Sequence, residues 1–435
     1  MQSISIFWFR RDMRLEDNAA LWKALKSETP VLPIFVFDKD ILSNLEDSTD
    51  SRVTFLHRTI ESLDQQLKQL GSGLKVFYSR PEEVMQELSL TYDVKQVFFN
   101  RDYEPYALER DLKVASFWKD QGVEVIGGKD HVIFEKNEVV KADGTPYLVY
   151  SPYAKAWRKL FTAEHSKPYP NQEYFGNFLK WSGEEPISLG DMGFQPTQIE
   201  LPELEIRSDI ISKYDETRNF PANKRSTTRI GLHLRFGTLS IRQVARDAQI
   251  LNDTFLSELI WRDFFQMALY FFPESREKSI KPKYDAIPWV NNESHFEAWC
   301  NGKTGYPMVD AGMRELNSTG YMHNRVRMVV ASFLTKHLLI DWRWGEAYFA
   351  EKLLDFDLAS NIGGWQWASG SGLDAAPYFR VFNPTTQLEK FDKQRVYVNR
   401  WIPELDTSYY PDPIVDHKWA RERCLSTYKQ ALAAY

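Results

Sequence analysis

The chain opens on a run of apolar, β-branched and aromatic residues, Ser3–Phe9 (SISIFWF). Similar short runs recur at Val31–Phe37, Leu74–Tyr78, Val97–Phe99 and Val123–Ile126. Between them apolar positions switch to helical spacing, over Ala19–Lys26, Arg52–Leu70 and Tyr106–Lys119. Strands that are apolar throughout and alternate with helices predict βαβ units. Residues 1–127 are therefore expected to form an α/β domain, a doubly wound parallel sheet, with any ligand at the switch point beyond the strands' carboxyl ends. From 128 to 201 the periodicity decays and turn-formers accumulate, among them Pro146, Pro168, Pro186 and Pro196. That stretch reads as a connector. From 202 to 435 the pattern is helical, and an all-α C-terminal domain is expected. Phe255–Phe271 is apolar nearly all round, and Asn324–Leu339, Glu346–Leu354 and Trp419–Ala434 follow.

Composition narrows the partners more than the fold. A hydrophobic content of 43% and a charged content of 26% are ordinary for a globular protein, but 14% aromatic is high and points to large aromatic cores or a site that uses rings. With a net charge of −6, a nucleic-acid partner requires a local basic patch. The two cysteines, Cys300 and Cys424, have neither metal nor disulfide spacing, which fits a reducing, cytoplasmic setting and no metal. No apolar run reaches membrane-spanning length, and Arg10, Arg11 and Arg14 follow the first apolar run, the wrong order for a signal peptide. No GxGxxG follows the first strand and no GxxxxGK[ST] occurs.

The candidate chemistry concentrates in Asp355–Pro384, DFDLASNIGGWQWASGSGLDAAPYFRVFNP. Two carboxylates, Asp355 and Asp357, precede the amide of Asn361, a Gly pair, the indoles Trp365 and Trp367, and a run of small residues. Small residues admit close approach, and indoles offer flat faces with one N–H each. Singly, each residue suits a Gly-bent turn in an aromatic core. Together they predict the wall of a pocket for a flat, polar-edged molecule. A second pattern, Ser226-Thr227-Thr228-Arg229-Ile230-Gly231, is either an anion site or an N-cap. A third places Glu258, Trp261 and Arg262 on one helix face, where Glu258 either pairs with Arg262 or serves a ligand. In a fourth, Asn324, Arg327 and Met328 share a face while Arg325 points elsewhere, and Arg327 can pair with Asp355 or Asp357.

These stretches, with FWFRRDMRLEDNAAL, STTRIGLHLRFGTLS, ELIWRDFFQ, MHNRVRM and DWRWGE, closely resemble the photolyase/cryptochrome flavoproteins. Within that family the resemblance is to bacterial, class I type cyclobutane pyrimidine dimer photolyases, and it covers essentially the whole chain. It implies an α/β antenna domain and a helical domain holding FAD, fully reduced in the active state. Carried over by motif, Tyr214, Thr227, Thr228, Arg229, Ile230 and Gly231 would contact the phosphates and ribitol. Asn324, Arg327, Asp355, Phe356, Asp357 and Asn361 would surround the isoalloxazine, with Asn361 facing N5 and Asp355 paired to Arg327. The substrate implied is UV-damaged DNA, its dimer flipped out and walled by Trp261 and Trp367. Glu258 would hydrogen-bond the dimer edge, and Asn324 and Met328 would complete the pocket, with Arg262 beside it. Arg218, Arg325, Arg380 and Gln387 would contact DNA, the arginines chiefly at phosphate. Trp365, Trp342 and Trp289 match the tryptophans that reload an oxidised flavin. The protein is expected to act as a monomer.

The alternative is a cryptochrome-type blue-light receptor without repair. Plant-type sensors place Asp where Asn361 stands and carry long C-terminal tails, and neither is expected here. Repair of the (6-4) photoproduct would call for histidines at Asn324 and Met328. A second, antenna chromophore is left open. The Asn-Glu that binds folate in some relatives is replaced at the segment Tyr103–Glu109, so folate, a deazaflavin, a flavin or none remain.

Overall fold

The computed structural model describes residues 1–185 and 187–433. Pro186 and residues 434 and 435, including the expected helix end at Ala434, lie outside the described residues. The chain divides into two compact units, neither contiguous in sequence. The first comprises Met1–Glu135, Phe161–Glu205 and Ile230–Asp247, and the second Lys136–Leu160, Ile206–Arg229 and Ala248–Tyr435.

In the first unit, β1 (Ser3–Phe9), β2 (Val31–Asp38), β3 (Lys75–Ser79), β4 (Asp93–Asn100) and β5 (Glu124–Gly128) pair in parallel in the order β3-β2-β1-β4-β5. Alternate side chains explain the continuous apolar runs. Phe7, Phe9, Phe35 and Phe37 pack in one core, while Ile6, Trp8, Ile34 and Val36 pack in another. A parallel sheet covered on both faces requires that pattern. The helices Lys39–Leu42 and Pro81–Thr91 are absent from the expected pattern.

At the carboxyl ends of β1 and β4 the protein's own side chains interlock. The Asn100 amide donates to Asp12 Oδ2 at 2.5 Å and to Asn18 Oδ1 at 2.8 Å, and Arg10 donates to the Asn100 carbonyl and to Asp111.

The expected connector does not run as one piece. Its helix Tyr150–Leu160 belongs to the second unit, whereas Phe178, Met192 and Phe194 pack into the sheet's core. Residues 230–247 join the first unit because they are bonded to its N-terminal loop. The Met13 N–H donates to the Phe236 carbonyl at 3.2 Å, and Arg242 bonds Asp17 and Asp130. Gly237, at φ +66°, lies so close to the Arg11 carbonyl that no side chain fits there.

Among its described residues the second unit is helical. The helix Asp253–Phe271 is capped by Asn252, whose side chain accepts from the Phe255 N–H. The helix expected over Asn324–Leu339 runs as α-helix to Ser332 and then widens into a π turn, Phe333–His337. Helices Trp342–Lys352 and Leu358–Ser369 follow, then His417–Ala433. No helix among the described residues is long and apolar enough to cross a membrane.

Candidate active site

A cavity of about 410 Å³ opens in the second unit, within the roughly 300–1,000 Å³ common for small-molecule sites. Three helices build most of it by the same device. Asp253–Phe271 contributes Glu258, Trp261, Arg262 and Phe265, Asn324–Ser332 contributes Asn324, Arg327, Met328 and Ala331, and Leu358–Ser369 contributes Asn361, Gly364 and Trp365. Spacings of three and four place each set on one helix face. Asp355, Phe356 and Asp357 enter from the turn before the third helix, and Arg218 and Trp367 also line the cavity.

The Gly pair sits inside a helix rather than in a bend. Gly363 is required by packing, because a Cβ there would lie closer than 3.0 Å to the Phe265 ring. Gly364 faces the cavity, and a Cβ there would meet no protein atom within 4 Å.

The polar wall is held from behind. Arg327 donates to both oxygens of Asp355 at 3.0 Å and through Nε to the Met322 carbonyl at 2.7 Å. Burial would lower the Arg327 pKa, but the Asp355 carboxylate outweighs it, and the guanidinium stays firmly charged. Asp357 caps the third helix, accepting from the Ser360 N–H at 3.0 Å, and also accepts from Gln266 at 3.2 Å. Of the two carboxylates, Asp355 holds an arginine and Asp357 holds backbone. Asn361 donates to the Glu346 carboxylate at 2.8 Å and to the Glu346 carbonyl at 3.1 Å. That fixes which way the amide faces and leaves its oxygen to accept. Burial raises the Glu346 pKa.

Glu258 pairs with Arg218, Nη1 to Oε1 at 2.6 Å, rather than with Arg262 on its own helix. Burial raises its pKa, and Arg218 pulls the other way. Trp261 is stacked on Tyr150, centroids 3.7 Å apart and planes within 3°. His323 caps the second helix by accepting from the Arg325 N–H at 3.1 Å through Nδ1. Burial, then Arg327, Arg325, Arg229 and Arg218, push it down to about 3, so it is neutral with its proton on Nε2. That buried N–H has no partner among the described residues.

The remaining expected residues divide. Thr227 shares a hydrogen bond with the Tyr321 hydroxyl at 3.1 Å, and Arg229, at φ +55°, lies over the Tyr321 ring at 4.3 Å. Thr228 lies beside them in the same loop. Tyr214 is buried against Phe255. Ile230 takes the N-cap of the helix Gly231–Phe236 without a side-chain bond, so the hydroxyls before it are not spent on capping. Ile230 and Gly231 fall in the first unit and do not line this cavity. Arg325 bonds Asn219 at 2.6 Å, Arg380 is exposed and Gln387 half-buried, and none of the three lines the cavity. Trp365 and Trp342 are buried in one core, with Trp289 packed against it. Trp365 meets Phe349 at 5.0 Å and Trp299 at 6.1 Å. Sequence reasoning missed Tyr150, Trp299, His323 and Glu346. Only His323 and Glu346 carried a signal, since both sit inside quoted motifs.

Residues 255–409 match the FAD-binding domain of DNA photolyase, and residues 5–172 match DNA photolyase. The chain belongs to the DNA photolyase family. It is 35% identical to the deoxyribodipyrimidine photo-lyase of Synechococcus over 99% of this chain and 97% of that one. To the Escherichia coli deoxyribodipyrimidine photo-lyase it is 33% identical, over 98% of each. In structure it resembles a class III photolyase from Agrobacterium tumefaciens, with TM-score 0.88 and 33% identity over 99% of this chain and 98% of that one. A photolyase from Sulfolobus tokodaii, whose structure holds two FAD molecules, gives TM-score 0.83 and 33% identity over 99% and 100%. A Synechocystis cryptochrome gives 0.82 and 25% over 98% and 99%. The protein is thus a DNA photolyase, an FAD-dependent lyase of DNA repair that binds damaged DNA.

The residues present fit FAD. The open side of Gly364, the hydroxyls at 226–228 that are not spent on capping, the His323 N–H that has no partner among the described residues and the anchored Asn361 suit a polar-edged ligand. Arg327, held by Asp355, places a fixed positive charge in the same wall.

Proposed function

We propose that this photolyase repairs cyclobutane pyrimidine dimers that flip out of DNA into the cavity. The observation that carries the reading is a single wall. Glu258, Trp261, Asn324, Met328 and Trp367 line the same cavity as Arg327, Asp355, Asn361 and Trp365. When bound, fully reduced FAD would supply the electron for light-driven splitting of the cyclobutane bonds and would take it back afterwards.

The protein's residues do the rest. Photolyases are among the enzymes that act on flipped-out bases, and a dimer that pairs poorly costs less to extrude. Trp261, backed by Tyr150, and Trp367 give it flat apolar walls. Glu258, its pKa raised by burial, can carry a proton and so both donate to and accept from the dimer's edge. Asn361, clamped by Glu346, would face the flavin's N5 region, while Thr227, Thr228, Arg229 and Tyr214 would hold its phosphates and ribitol. Arg218, Arg325, Arg380 and Gln387 hold the DNA backbone, and Trp342 and Trp289 relay electrons to Trp365. A second chromophore in the sheet unit belongs to the same reading, supported by the two FAD molecules of the Sulfolobus relative.

The test is chromatography of an irradiated oligothymidine. Protein with fully reduced FAD should restore intact thymines under blue or near-UV light and do nothing in the dark. No light-dependent loss of dimer would remove this reading and favour a receptor like the cryptochrome it resembles.

A further inference from the structure

The ion pairs Arg327–Asp355 and Arg218–Glu258 both stand in the cavity wall, and they are built differently. Arg327–Asp355 is braced by the Met322 carbonyl. Arg218–Glu258 is a single contact of 2.6 Å, and Arg218 otherwise lies against the Tyr214 ring, 5.2 Å from its centroid. Arg218 is also close enough to Arg325 to lower its pKa. Of these two neighbouring arginines, Arg218 bonds the Glu258 carboxylate and Arg325 bonds the neutral amide of Asn219, an excess of positive charge that a phosphate would complete.

Resting on the dimer-repair reading, we propose that Arg218 is a positioning residue that controls the proton on Glu258. In the free enzyme its guanidinium holds Glu258 as a carboxylate. On lesion binding it transfers to a DNA phosphate, and Glu258 takes one proton from solvent.

A carboxylate can only accept hydrogen bonds, whereas a pyrimidine dimer's edge offers N–H donors and carbonyl acceptors. A negative Glu258 would also repel a dimer that has gained an electron. Glu258 must therefore be neutral when the dimer is bound. Burial favours that form, and Arg218 is the group that opposes it. A DNA phosphate is a strong competitor for a guanidinium, which grips it bidentately.

Among the described residues, the two tyrosines near Glu258 titrate far above neutrality. Tyr150, on the helix Tyr150–Leu160, is pushed up to about 12 by burial, and Tyr214 higher still. Arg262 and Arg327 stand in the same wall, Arg325 lies beside Arg218, and Asp355 accepts from Arg327. The proton balance is one taken up on binding and one released when product leaves and Arg218 returns.

The experiment is calorimetric titration of dimer-containing duplex into reduced holoenzyme, in the dark, in buffers of different ionisation enthalpy. The unaltered enzyme should take up close to one proton above neutral pH, and its affinity should fall by up to about tenfold per pH unit there. Glu258→Gln, which cannot titrate, should show no uptake and a flat pH profile. Arg218→Gln should show much less uptake, because its Glu258 is already neutral. Flavin absorbance reports that each variant is folded. Selective binding of the dimer without uptake by the unaltered enzyme would overturn the inference and leave the repair reading standing. So would full uptake by Arg218→Gln. No preference for dimer-containing DNA would overturn both.

Discussion

Two glycines on neighbouring helices should respond to alanine in opposite ways. Gly345 lies in Trp342–Lys352, one residue before Glu346, and a Cβ there would come closer than 3.0 Å to Cη2 and Cζ3 of Trp365 and to Cδ2 of Leu334. Alanine gains about 1 kcal/mol of helix propensity over glycine. Overpacking a filled core costs about 1–3 kcal/mol, and a rigid indole between two buried helices belongs near the top of that range. Gly345→Ala should therefore destabilise the FAD-free protein by about 1–2 kcal/mol. Because Trp365 also lines the cavity, the displaced ring should weaken FAD retention. Gly364→Ala meets no protein atom, so the FAD-free protein should gain up to about 1 kcal/mol from propensity alone. Its methyl would project into the cavity and oppose FAD. Urea denaturation of FAD-free protein and flavin content after gel filtration separate the two effects. A Gly345→Ala protein as stable and as flavin-loaded as the parent would refute the packing argument. So would a Gly364→Ala protein destabilised without FAD.

Trp365→Phe should keep FAD bound but abolish photoreduction of the oxidised flavin, while repair by chemically reduced enzyme survives; normal photoreduction would remove Trp365 from the relay. Arg325→Ala should weaken DNA binding and flatten its salt dependence by roughly one unit of slope, and an unchanged slope would mean that Arg325 does not touch phosphate. Glu346→Ala should free the Asn361 amide and shift the midpoint potential of bound FAD by about 20 mV, the two-electron equivalent of one net hydrogen bond of about 1 kcal/mol. An unmoved potential would show that the clamp seen between Asn361 and Glu346 does not reach the flavin.

The sheet was legible because β1 and β2 are buried on both faces, which forces uninterrupted apolar runs. Pro81–Thr91 was not, because beyond Pro81 its buried apolar face is Val84, Met85 and Leu88. Two of the cavity's helix faces, at 258–262 and 324–328, were legible from spacings of three and four, which depend only on the turn of the helix, whereas the helix Leu358–Ser369 was hidden by its Gly pair. Partnerships across the fold were not. Nothing in spacing connects Trp261 to Tyr150, 111 residues earlier in a stretch that read as connector, or chooses Arg218 over Arg262 for Glu258. Asp357 illustrates a further limit, since a carboxylate that lines the pocket can also serve the helix, as its bond to the Ser360 N–H does.

The interleaving of the two units bears on how the chain is made. The sheet unit needs Ile230–Asp247, whose Arg242 clasps Asp17 and Asp130 and whose Gly237 nests against the backbone of Arg11. At synthesis rates of about 5–20 residues per second, those residues leave the ribosome roughly 12–50 s after the first strand. By then Lys136–Leu160 and Ile206–Arg229 have emerged without the helices they belong with. A nascent chain stopped before residue 230 would hold five strands and no finished unit, so a holdase should bind it there and let go only as translation proceeds.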